Sequence, residues 1–155
     1  MLQFFIIFFL SFCLLTIIVY LVFFSLYYFL FFQQIILMKK CNNFTKTISG
    51  ISFTKNLVLV EKNPYLKENL KYLVEKNNKN NKNIKIISEN LLLLNDQIKH
   101  LHFWKSLNMI NILKNDIYLY NSNLDQFINE YNESTKFHQI ISQLYLHYFE
   151  IYENL

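Results

Sequence analysis

The chain has 155 residues, 53% of them hydrophobic and 18% aromatic, with 15 lysines, no arginine, 11 acidic residues and a formal net charge of +4. Its single Gly excludes glycine-rich phosphate loops and dinucleotide fingerprints, which need several glycines at fixed spacing. A positive charge this modest, carried without the guanidinium fork that reads phosphate in bidentate fashion, argues against a nucleic-acid-binding role.

Leu2 to Met38 contains no Asp, Glu, Lys, His, Asn, Gly or Pro. About 20 such residues suffice for a helix that crosses a bilayer, so residues 1–40 predict a transmembrane helix. A cleaved export signal does not fit. No base precedes the run, its apolar core far exceeds the roughly 7–15 residues of a signal sequence, and the chain has no Ala for a small-residue cleavage site. The Arg-rich, amphipathic pattern of a mitochondrial presequence is missing too. The expectation is a retained anchor. As one helix the run would be about 55 Å long against a hydrocarbon core of about 30 Å. A hairpin would have only Ser11 and Ser25 to turn on. One long, tilted helix is expected, with Tyr20, Tyr27 and Tyr28 near an interface and its protruding end covered by neighbouring protein.

The first charges, Lys39 and Lys40, follow directly. By the positive-inside rule the remainder stays on the side where the chain is made. Cys13 and Cys41 would lie about 42 Å apart on a continuous helix and cannot pair. Neither belongs to a CxxC, so zinc and thiol–disulfide chemistry have no footing.

Residues 41–54 read as a polar linker. It contains Asn43-Phe44-Thr45, which, like Asn132-Glu133-Ser134, matches the glycosylation acceptor pattern but would go unused on the side of synthesis. Residues 55–134 read as a small α/β domain. Leu57-Val58-Leu59-Val60 has the continuous apolar pattern of a strand buried on both faces. Asn63 and Pro64 then predict a helix start. Leu66, Leu70, Leu73 and Val74 form the apolar stripe of that helix, opposite Lys67, Glu68, Lys71 and Glu75. The Asn/Lys run Asn77 to Asn83 predicts its end, and Ile84 to Ile87 a second strand, which completes a right-handed βαβ unit.

Residues 88–114 carry conflicting periods. Leu91, Leu94, Ile98, Leu101 and Lys105 share a helical face, while His100 and His102 alternate with Leu101 and Phe103 as in a strand. Asp116 to Tyr120 alternates as a further strand. Ser122, with Asp125 at the capping-box position, predicts a helix with Leu124, Phe127, Ile128 and Tyr131 inward. Ser134 or Thr135 predicts the cap of a separate amphipathic helix over residues 135–155. Its face of Phe137, Ile140, Ile141, Leu144, Tyr145, Tyr148, Ile151 and Tyr152 suits docking on the domain or on a partner subunit.

No constellation carries chemistry. Lysines spaced by Asn between Lys76 and Lys85 read as a solvated loop, and Glu61, Glu75 and Glu89 as solvated element ends. His100 and His102 have no Asp, Glu or Cys at ligand spacing, and His138 and His147 are nine residues apart. No carboxylate pair or Ser/His/Asp arrangement stands out. The expected protein is not an enzyme, with no catalytic, cofactor-binding or metal residues and no cofactor.

Asn56 to Ile87 and Asp116 to Glu130, in the order βαβ then ββα, resemble the thioredoxin-like domain of some mitochondrial ribosomal proteins and of a small matrix-arm subunit of respiratory complex I. The whole chain also resembles the divergent small membrane proteins encoded in ciliate mitochondrial genomes. Its apolar run and its Phe, Tyr, Ile, Leu, Asn and Lys, without Ala or Arg, are the vocabulary of AT-rich codons. Those resemblances imply an accessory, non-catalytic subunit of a mitochondrial inner-membrane respiratory-chain complex, cytochrome c oxidase or complex I, with the C-terminal part in the matrix. Its partners would be other subunits and membrane lipid. The alternative they imply is a membrane-tethered mitochondrial ribosomal protein.

Overall fold

In the computed structural model, which describes residues 2–51 and 64–153, the chain forms three long helices. They are α1 (Leu2–Ser49), α2 (Pro64–Lys99) and α3 (Phe103–Glu153). There is no strand among the described residues. The fold is all-α, and the expected α/β domain with a thioredoxin-like sheet is corrected accordingly.

A shared heptad period holds the helices together. Buried or half-buried positions on α1 include 27, 30, 34, 37, 41, 44 and 48, and Ile51 just beyond it keeps the same step. On α2 they include 73, 77, 80, 84, 87, 91, 94 and 98, and on α3 103, 106, 110, 113, 117, 120, 124, 127, 131, 134, 138 and 141. Alternating steps of three and four keep one seam of each helix facing its neighbours, the coiled-coil pattern. Leu30, Leu37, Leu94, Ile110, Leu113 and Phe127 lie at the centre, each at most 2% exposed.

Cross-helix contacts fix the topology. Tyr27 packs edge-on against Phe103, and Phe44 packs at a tilt against Tyr120; both pairs are 76 positions apart, so α1 and α3 run parallel. Gln34 bonds Asn95, and Lys76 bonds Glu130 while Asn69 bonds Ser134, so α2 runs antiparallel to both. The result is an up-down-up three-helix bundle. Beyond Ser49 the described part continues as an α2–α3 pair.

Each strand expectation fails for a definite reason. In Ile84 to Ile87, Ile84 and Ile87 are buried while Ile86 is 45% exposed, a helical and not a strand-like division. In Asp116 to Tyr120, a strand would put Ile117 and Leu119 on one side; here Ile117 and Tyr120 are buried and Leu119 faces out. Residues 56–60 lie outside the described residues. The Asn/Lys run does not end α2. Asn is a weak helix former, yet Asn77 and Asn80 occupy the seam and tertiary packing carries the helix through. The linker expected over residues 41–54 is helical to Ser49, with Cys41, Phe44 and Ile48 buried in the core. Ser122, Ser134 and Thr135 cap nothing, because all three lie inside α3. The Thr135 hydroxyl bonds back to the Tyr131 carbonyl.

The conflicting periods near residue 100 mark the reversal of the chain. Leu101 has φ 57°, in the left-handed region. The His102 amide bonds the Gln97 carbonyl and the Leu101 amide bonds the Ile98 carbonyl. This is a Schellman ending with Leu where Gly is usual.

Candidate functional site

Burial divides α1 into two halves. Every described side chain from Gln3 to Leu26 is exposed except that of Cys13, which is half-covered; Tyr27 is half-buried and Leu30 fully buried. The free half is about 36 Å long, enough to cross a hydrocarbon core of about 30 Å with some tilt. One helix is thus long and apolar enough to span a membrane, and no residue of its spanning window is buried in the fold. Its Thr16 hydroxyl is satisfied by the Cys13 carbonyl at 2.8 Å. The second half, from Tyr27 to Ser49, is bundle core. One face of the overshoot expected to need a neighbouring protein is covered by the chain's own α2 and α3, while Phe31, Phe32 and Ile35 stay exposed.

Polar groups inside the bundle are structural in their surroundings. Gln34 Nε2 donates to Asn95 Oδ1 at 3.0 Å. Lys76 Nζ donates to Glu130 at 2.6 Å and lies over the Tyr72 ring. Partial burial works against the Lys76 charge, but hydrogen bonds to Glu130 and Tyr72 outweigh it and hold the ammonium above the ordinary lysine range. Burial, with a smaller contribution from the nearby Cys41 thiol, pushes the Tyr120 hydroxyl far above the usual phenol range. None of these groups pairs a nucleophile with a base.

The histidines do not converge on one site. His100 and His102 stack at 6.4 Å in the exposed α2–α3 turn. His138, buried on α3, donates from Nδ1 to the Ser134 carbonyl. Along α3 it lies about 54 Å from His102 and about 13 Å from the exposed His147. No group of three His, Cys, Asp or Glu among the described residues is placed to hold a metal. Cys13 and Cys41 are both free thiols. The lysines between 76 and 85 lie on helix α2, where Lys79 and Lys82 are exposed and Lys85 is 4.0 Å from Glu89.

The largest groove described, of about 720 Å³, runs between α1 and α3 past Gln33, Phe44, Lys114, Tyr118 and Asp125. Lys40, Lys114 and Asp125 line it, and no ion pair joins them among the described residues. What the bundle does present is apolar surface: Phe31, Phe32 and Ile35 on α1, Leu92 on α2, and Ile112, Tyr118 and Leu119 on α3 are all exposed. Outward-facing side chains of this kind suit contact with other protein. Sequence patterning expected Phe31, Phe32 and Ile35 to need a covering neighbour, but it placed Tyr118 and Leu119 in a strand and did not single out Leu92 or Ile112.

No family model, characterised protein or solved structure matches the chain.

Proposed function

We propose that the protein is an accessory, non-catalytic subunit of a mitochondrial inner-membrane respiratory-chain complex. One helix anchors it, and its three-helix bundle is a matrix-side scaffold for neighbouring subunits. The observation that carries this proposal is the free half of α1, a stretch without charge that none of the bundle buries. The exposed apolar side chains on all three bundle helices support a scaffolding role. The AT-rich vocabulary supports an organellar origin. The thioredoxin-like resemblance, shared by the complex I and ribosomal readings, lends support to neither, because the described residues hold no strand.

Native gels of gently solubilised membranes test the proposal. The protein should resist a carbonate wash and migrate with an oxidase or dehydrogenase. A stable lone monomer would overturn it, as would sedimentation with ribosomes through a steeply salt-sensitive contact.

A further inference from the structure

The turn that joins α2 to α3 has features the bundle does not require. Leu101 adopts a left-handed backbone, φ 57°, which strains a residue with a Cβ and would not strain Gly. Its side chain nevertheless gains no burial and is 67% exposed. One turn of helix on, Trp104 is 78% exposed, the only Trp in the chain. Two large apolar groups thus point outward at one end of the bundle, and one of them sits on a strained backbone.

That end is the one from which the free half of α1 emerges. The Tyr27 hydroxyl donates to the Leu101 carbonyl at 2.6 Å. The Tyr27 ring packs edge-on against Phe103, with centroids 6.1 Å apart, and Phe103 packs edge-on against Trp104 at 5.3 Å. The turn is therefore tied to the residue of α1 where exposure gives way to burial. Lys99 and Lys105 flank it and are exposed; Asp96 lies 3.4 Å from His100 Nδ1. Lys39 and Lys40, the first charges in sequence, lie about 18 Å further along α1 from Tyr27. In space, the basic residues nearest the free helix belong to the turn.

We propose that the α2–α3 turn is a second membrane contact. Leu101 and Trp104 enter the interfacial layer of the bilayer that α1 crosses, and Lys99 and Lys105 meet the phosphates of its headgroups. The placement rests on α1 spanning that bilayer. Trp and Tyr favour this layer because an apolar ring and one polar hydrogen suit a boundary between hydrocarbon and water. Lysine stems reach outward from it toward the phosphates. The strain at Leu101 is then offset by burial in lipid instead of burial in the fold. The turn also fixes how deep the bundle sits, because its charged residues cannot follow α1 into the hydrocarbon.

Trp104 reports on its own position. The full chain is reconstituted into phosphatidylcholine–phosphatidylglycerol vesicles, with bromine carried either high on the acyl chains or near their ends. Trp104 emission should be quenched most by bromine near the headgroups, less by bromine at the chain ends, and little by aqueous iodide. Full quenching by iodide with none by either brominated lipid would overturn the proposal, and so would strongest quenching by chain-end bromine. A W104F/F12W double variant places the only Trp within the free half of α1 and should respond most to chain-end bromine. If that variant responds to neither lipid, the span itself is wrong and the proposal falls with it. If only the native Trp104 fails to respond, the span stands and the turn is not a membrane contact.

Discussion

Replacing Asn80 by Leu tests whether the Asn/Lys run is bundle core. Asn80 is 5% exposed at a seam position, and its Nδ2 has no hydrogen-bond partner among the described residues. Removing such a buried amide recovers about 1–3 kcal/mol of desolvation. A buried Leu adds about 1.5–3 kcal/mol of apolar transfer, and fitting it into a packed site costs about 1–3 kcal/mol. We expect N80L to stabilise the protein by about 1–2 kcal/mol, or about 2–4 °C in Tm per kcal/mol for a chain of this size. Asn81 next to it is exposed, so N81L should change stability by no more than about 0.5 kcal/mol. N80D should cost several kcal/mol, because it buries an unpaired charge. Thermal unfolding of the full chain in detergent micelles, followed by helical circular dichroism, measures all three. If N80L and N81L behave alike and N80D is tolerated, residues 77–83 are a solvated turn and the helical bundle is wrong.

Three further outcomes are expected. Stability should fall as pH rises above about 10, the range where unfolded Lys and Tyr titrate. The Lys76 and Tyr120 pKa values are both raised in the fold, so the unfolded chain releases these protons first and the stabilisation is lost as pH climbs toward the folded values. In urea titrations at stepped alkaline pH, Y120F should make that decline shallower; an unchanged slope would contradict the buried placement of Tyr120. Phe127 is fully buried, so F127A should cost about 3–5 kcal/mol in detergent unfolding, whereas a loss below about 1 kcal/mol would mean that the seam is not packed there. L101G should raise stability in detergent by about 1 kcal/mol by relieving the left-handed backbone, and a loss of stability would show that the Leu side chain serves the fold itself.

Several elements were legible in the sequence. The helix start at Pro64 follows from a proline's fixed φ at a first helical position. Leu91, Leu94 and Ile98 are spaced as the helical seam that they form. The strands were misread because short apolar runs such as Ile84 to Ile87 and Ile117 to Tyr120 satisfy a period of two almost as well as steps of three and four. The longer signal, an unbroken heptad from Leu73 to Ile98 and from Phe103 to Ile141, was there to find. Asn77, Asn80, Ser106, Ser134 and His138 stand at its seam positions, and a pattern search that expects only apolar residues inside passes over them. The turn at Leu101 was hidden for a related reason, since the usual glycine is replaced by leucine.

By itself the sequence determined that the first helix is long and apolar enough to cross a membrane, because that depends only on enough consecutive residues without charge. It could not say where the span stops. Within Leu2 to Met38 nearly every residue is apolar, so no polar face exists against which a period could show. Only the packing of α2 and α3 against Tyr27, Leu30, Gln34 and Leu37 separates the part of α1 that faces its own chain from the part left exposed.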